Sequence, residues 1–195
     1  MSAFDTNRLE ELTYLTCNAG VREQFEAWIA GMTEKRDGEM GLDGVTDDGV
    51  TISGFLTWIQ DHNRSPEFTP NGLFQTFFWR DTVTGEIVAT ATVGPDDRGI
   101  KKTYQLGGDG IIGGCNVRWD LHYQGLGKFV CARVNEHIEE HAAKTGRKLQ
   151  FHFFTLNPAV ETVCARMGFL PNPLGEVHID AFGDERLWTK DYVSI

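Results

Sequence analysis

Three runs decide the fold: Ile111-Ile-Gly-Gly-Cys-Asn-Val117, then Arg118-Trp-Asp-Leu-His-Tyr-Gln124, then Gly125-Leu-Gly127-Lys128. In order they read as a strand, a turn and the mouth of a helix. From Gly125 to about Ala143 the apolar residues Leu126, Val130, Val134, Ile138 and Ala142 share one helical stripe, and Gly146 closes the helix in the C′ position. Glycines at a helix N-terminus let backbone N–H groups close around an anion, and the helix dipole adds favourable potential there. A pyrophosphate fits such a turn. Tight packing of the helix on the strand is the other use of the same glycines, and the sequence leaves both open. The pattern G-x-x-x-x-G-K-[ST] is absent, as is the second half of a dinucleotide-binding fold.

Outward from this stretch, period-2 and period-3.6 patterns alternate. Leu12 to Cys17 reads as a short strand, residues 21 to 35 as an amphipathic helix carrying Val21, Phe25, Trp28, Ile29 and Met32, and residues 50 to 62 as a second helix. Leu73 to Arg80 and Glu86 to Val93 form a hairpin across Asp81-Thr-Val-Thr-Gly85. Gly94 to Gly110 is a long Gly- and Pro-containing loop, a candidate substrate loop. Leu149 to Leu156 is nearly continuous apolar, the mark of a central strand covered on both faces. Asn157-Pro158 caps a helix that ends at Gly168, and Gly175 to Ala181 and Arg186 to Val193 supply two final strands. The predicted order is β-α-α-β-β-β-α-β-α-β-β in an α/β (α+β) class, with a mixed, mostly antiparallel sheet flanked by helices.

The 195 residues suit one domain spanning 1–195, and no run approaches the roughly 18 apolar residues of a membrane span. The first ten residues lack the apolar core of a signal peptide, so the expected location is cytoplasmic. Cys17, Cys115, Cys131 and Cys164 are scattered with no C-x-x-C pair, consistent with reduced thiols. Net charge is −10, and residues 1 to 75 hold 13 acids against 5 bases. That surface disfavours nucleic acid and suits a cationic substrate, or serves only as a solvated face. Oligomeric state is open, a homodimer included.

The stretch around residue 125 resembles the GNAT superfamily of acyl-CoA-dependent N-acetyltransferases, whose phosphate loop runs [QR]-x-x-G-x-[GA] shortly after a strand-ending aliphatic. Here Val117 is followed by His122-Tyr-Gln-Gly125-Leu-Gly127, with His122 in place of the usual Gln or Arg. A second match is Asn157 followed by Gly168-Phe169, with Cys164 where the family has a Tyr. The resemblance implies a GNAT-like acyltransferase fold, acetyl-CoA as co-substrate, and direct attack of a primary amine of a small-molecule or peptide acceptor on the thioester. It implies cofactor contacts from Val117, Trp119, His122, Tyr123, Gln124, Gly125, Leu126, Gly127, Lys128 and Asn157. It also implies that the strand ending at Val117 splays from the strand at Leu149 to Leu156, with the pantetheine in the gap. Cys164 stands at the family's acid position, to donate a proton or only to pack. Asp109 is one candidate general base, beside His178 and Asp180. The identity of the acceptor, and whether the acyl group is acetyl or larger, are not encoded in these motifs.

Two rivals stand beside this reading. His137-Ile-Glu-Glu140-His141 matches H-x-x-E-H, so a zinc hydrolase using His137, Glu140 and His141 is one. The other is a non-catalytic acyl-CoA-binding sensor or subunit that keeps the loop and has lost the chemistry.

Overall fold

The computed structural model describes residues 3–35, 59–60, 75–95, 109–121, 123–155, 158–179 and 183–192. Its elements are β1 (Leu9–Thr13), α1 (Ala19–Lys35), β2 (Gln75–Asp81), β3 (Ile87–Pro95), β4 (Asp109–Val117), α2 (Leu126–Thr145), β5 (Leu149–Thr155), α3 (Pro158–Arg166), β6 (Leu170–Ile179) and β7 (Gly183–Tyr192). Short 3-10 turns cover Thr6–Arg8 and Trp119–Leu121. The expected second helix is seen at Ile59 and Gln60, and the rest of that segment lies outside the described residues, as does most of the 94–110 loop. Among the described residues no helix is long and apolar enough to cross a membrane.

Among the described residues seven strands form one sheet in the order β1-β2-β3-β4-β5-β7-β6, antiparallel except for the parallel pair β4 and β5. The hairpin between β2 and β3 closes as its sequence demands. Asp81 N–H donates to Glu86 O at 2.9 Å, Gly85 N–H to Asp81 O at 2.7 Å, and Gly85 takes φ 74°, where a Cβ would be strained.

Alternation along β2 sorts the core into two layers. Phe78 turns to the face covered by α1, joining Tyr14, Val21, Phe25, Ile29, Ile59 and Ile87. Phe77 and Trp79 turn to the face covered by α2, with Val88, Ala91, Leu126 and Val130. Burying one such side chain contributes about 1.5–3 kcal/mol, so the interdigitated aromatics of β2 fix which helix lies on which face. β5 is interior, and Phe151 and His152 are buried although they point to opposite faces, as expected of a strand covered on both.

β1 and β6 depart furthest from their sequence-based bounds. β1 begins at Leu9, earlier than expected, because residues 13–17 fold into a turn in which Cys17 N–H donates to Thr13 O at 3.0 Å and Asn18 Oδ1 accepts from Val21 N–H at 3.0 Å, capping α1. β6 begins at Leu170 despite Pro171 and Pro173. It is an edge strand among the described residues, where a missing N–H can face away from the ladder, and a register shift between Pro171 and Glu176 absorbs the prolines.

β1 is locked to α2 by Glu11. Its carboxylate accepts from Trp79 Nε1 at 3.2 Å, Arg133 Nε at 2.9 Å and pairs with His137 Nε2 at 2.6 Å, and the His137 ring stacks on Phe77 at 4.3 Å. Burial pushes the Glu11 carboxyl up, but the hydrogen bonds and charges of His137 and Arg133 outweigh it and hold the pKa at about 2. A pKa depressed on folding contributes stability above the unfolded value, and that contribution is lost as pH falls from about 4.5 through about 2. Glu11→Gln is expected to lower neutral-pH stability by about 1–3 kcal/mol and to flatten the acid limb of stability against pH, as measured by urea denaturation between pH 2 and 7.

Candidate cofactor and active site

β4 and β5 pair only over Asp109–Leu149, Gly110–Gln150, Ile111–Phe151 and Ile112–His152. Beyond Ile112, β4 keeps β3 as its neighbour, Gly113 opposite Val93 and Val117 opposite Ala89, while β5 runs on against β7, Phe153 opposite Trp188 and Thr155 opposite Arg186. The two strands therefore part into a fork, as the sequence reading expects. Gly113 and Gly114 open its β4 leg, so no side chain at these positions stands between the backbone and a ligand in the gap.

At the open end of the fork, β4 feeds the turn that starts α2. Arg118 N–H donates to Val88 O at 2.8 Å, and its guanidinium holds Glu86 and Asp120, each at 2.7 Å. Leu121 N–H donates to Arg118 O at 3.0 Å, Gln124 Nε2 to Asp120 O at 2.9 Å, and Phe4 N–H to Gln124 O at 3.0 Å. The turn is thus shaped before any ligand arrives. Tyr123 adopts φ 62° and Gly125 φ 88°, the left-handed region that a non-Gly residue seldom occupies. Glycine takes that region freely, whereas Tyr123 is held there at a cost of about 1–3 kcal/mol. Gly125 is the N-cap of α2 and offers no side-chain cap, which leaves the amides of Leu126, Gly127 and Lys128 as the orphan donors of a helix start.

The competing packing explanation for the glycines is testable against the geometry. A Cβ built on Gly127 meets Val117 Cγ2 at 3.9 Å, an ordinary contact, and one built on Gly125 meets nothing within 4 Å. Packing therefore does not demand glycine at 127; the positive φ demands it at 125. Gly125→Ala is expected to lose about 1–2 kcal/mol of stability, whereas Gly127→Ala stays level or gains up to about 1 kcal/mol, read by chemical denaturation.

Leu126 is fully buried in the β2–β3–α2 layer and contributes its main chain to the turn, while Lys128 and Tyr123 are exposed beside it. Gln124 spends its side chain on Asp120, leaving its carbonyl to Phe4. Trp119 lies in the 3-10 turn and Asp109 opens β4 at the closed end of the fork, but their side chains, like that of His178, lie outside the described residues. His122, Asn157 and Asp180 lie outside them altogether.

Cys164 of α3 is buried and lines a cavity of about 40 Å³ between α2, α3 and the sheet, with Cys115, Cys131, Phe151 and Phe169 among its walls. Burial, reinforced by Cys131 and Glu161, pushes the Cys164 thiol up to about 12. Of the zinc-hydrolase trio, His137 is committed to Glu11 and Phe77, and no group of three His, Cys, Asp or Glu able to hold a metal occurs among the described residues.

The sequence reading passed over His152, which the register places at the fork point, fully buried, with Nε2 at 2.9 Å from Gln150 Oε1. Gln150 Nε2 donates to Asp191 at 2.8 Å, so its amide oxygen must face the ring, and His152 carries a proton on Nε2. Set inside an apolar strand, a single His gives no pattern by which to find it.

A mixed sheet forked between its parallel strands, with a glycine turn and helix at the fork's mouth, is the GNAT acetyltransferase fold, and this chain has it. No family model and no curated protein matches the sequence. Among solved structures it is similar to an acetyltransferase of the GNAT family from Streptococcus pneumoniae, at 17% identity and TM-score 0.59, covering 94% of this chain and 99% of that one. It is similar to a ribosomal-protein-S5-alanine acetyltransferase from Vibrio fischeri at 14% identity and TM-score 0.59, covering 97% and 96%. A GNAT superfamily phosphinothricin acetyltransferase from Sinorhizobium meliloti in complex with AcCoA matches at 12% identity and TM-score 0.57, covering 95% and 89%.

Proposed function

We propose that the chain is a single-domain acyl-CoA-dependent N-acetyltransferase that moves an acetyl group from acetyl-CoA to an amine. One observation carries the reading: an uncapped helix start with Gly125 in the left-handed region stands at the mouth of the fork between β4 and β5. The amides of Leu126, Gly127 and Lys128 suit a diphosphate, each contact helped by the helix dipole. In an antiparallel strand, alternate residues turn their N–H and C=O to one side, so those of the β4 leg not used by β3 face the gap and suit the amides of a pantetheine arm. The neighbour from Sinorhizobium meliloti holding AcCoA supports the choice of thioester.

A bound thioester supplies an activated carbonyl. The chain's tasks are then to orient it, to place N–H donors near the carbonyl oxygen and to keep water out. Cys164 packs and does not act as the acid. Proton transfer from a thiol at about 12 to a thiolate of ordinary acidity, near 8.5, is uphill by roughly 4–5 kcal/mol. Cys164→Ala is therefore expected to retain activity within about threefold of the parent, and a loss near a hundredfold in kcat would assign it the acid role instead. The general base is drawn from Asp109, His178 and Asp180. The acceptor is a cationic amine, a reading supported by the acid excess over residues 1 to 75.

Calorimetry with CoA and acetyl-CoA tests the first half, and mass spectrometry of an amine mixture after incubation with acetyl-CoA tests the second. Heat on binding with an acyl-labelled amine supports the enzyme. Heat without turnover favours a CoA sensor, and no heat with any CoA species overturns the reading. Gly127→Ala, whose fold is expected to be intact, should weaken CoA binding at least about tenfold if the turn takes the diphosphate.

A further inference from the structure

We propose that Cys115 and Cys131 form a modifiable dithiol that closes to a disulfide between β4 and α2 when the protein meets a peroxide. The inference is independent of acyl transfer. Cys115 lies on the β4 leg of the fork, opposite Ala91 of β3, and Cys131 lies on α2 beyond the glycine turn. Strand, turn and helix double back so that the two sulfurs stand 3.5 Å apart in a hydrogen bond, although 16 positions separate them in sequence. Closure to a disulfide needs the gap to shrink from 3.5 Å to about 2.05 Å. Both residues are half-buried, not sealed, and both line the cavity of about 40 Å³ beside Cys164. One water needs about 10–15 Å³ on the same measure, so the cavity has room for hydrogen peroxide, a molecule of two heavy atoms.

The pair is also polarised. The hydrogen bond from Cys115 lowers the pKa of Cys131 against the opposing effect of burial, while the same bond, together with burial, raises Cys115 well above the usual thiol range. Cys131 is thus the nucleophile and Cys115 the resolving thiol. The Cys131 thiolate attacks one peroxide oxygen; an S–O bond forms and the O–O bond breaks. The departing hydroxide combines with the proton Cys131 released, giving the first water and a sulfenic acid on Cys131. Cys115 then attacks the Cys131 sulfur; the S–S bond forms, the S–O bond breaks, and the leaving hydroxide with the Cys115 proton gives the second water. Two thiols are oxidised by two electrons and one peroxide is reduced to two waters. Cys164, held as the protonated thiol, is a poor competitor for the first step, and in the second Cys115 has the advantage of standing 3.5 Å from the Cys131 sulfur.

The test uses the full chain, reduced, desalted and exposed to hydrogen peroxide, then examined by intact mass and peptide mapping. The expected result is loss of two hydrogens, a cross-linked peptide pair containing Cys115 and Cys131, and reversal by dithiothreitol. Cys115→Ser is expected to leave a sulfenic acid on Cys131 that a cyclic dione traps, and Cys131→Ser to leave Cys115 unreacted. Four free thiols after treatment, or a disulfide that includes Cys17 or Cys164, would overturn the proposal. Mapping of the parent protein decides the matter even if a serine variant fails to fold.

Discussion

The parting of β4 from β5 after Ile112 and His152 is the constraint on which the rest depends. A parallel pair inside a sheet normally satisfies its backbone groups along its whole length, and here the ladder stops after four residue pairs. Each strand beyond the fork is held by its outer neighbour, β4 by β3 and β5 by β7, so the opening needs no distortion of either antiparallel pair. What the fork leaves is a slot bounded by two main chains, one of them carrying consecutive glycines.

Everything else keeps that slot and its mouth in place. The aromatic residues of β2 commit α1 to one face and α2 to the other, and Glu11 fastens β1 to α2 through Arg133 and His137. Arg118 is used up in bonds to Glu86 and Asp120, which brace the turn against the β2–β3 hairpin. The turn's geometry therefore comes from main-chain and ion-pair contacts within the protein, and the amides at the start of α2 are aimed in advance.

Most of the fold was legible because its signals are local. The stripe of α2, Gly146 at its end, the Gly85 hairpin and the Pro158 helix start each act within a few residues, and the fork followed from the resemblance carried by Gly125 and Gly127. What escaped was non-local. Glu10 and Glu11 fell ahead of the strand expected from Leu12, and their partners, Arg80, Arg133 and His137, lie some 70 to 126 positions away. The H-x-x-E-H match counted spacing but could not know that His137 already had a carboxylate. The proximity of Cys115 to Cys131 and the place of His152 at the fork likewise emerge only once strand register is known.

Phe4 is hydrogen-bonded through its amide to the carbonyl of Gln124, one residue ahead of the α2 cap, whereas Tyr192 at the end of β7 sits opposite Leu149, at the closed end of the fork. Affinity handles, fluorophores or surface linkages joined ahead of Phe4 would stand beside the amides of the glycine turn and compete for the same space. Tyr192 itself stands at the opposite end of the sheet, so a label fixed at that residue starts away from the turn.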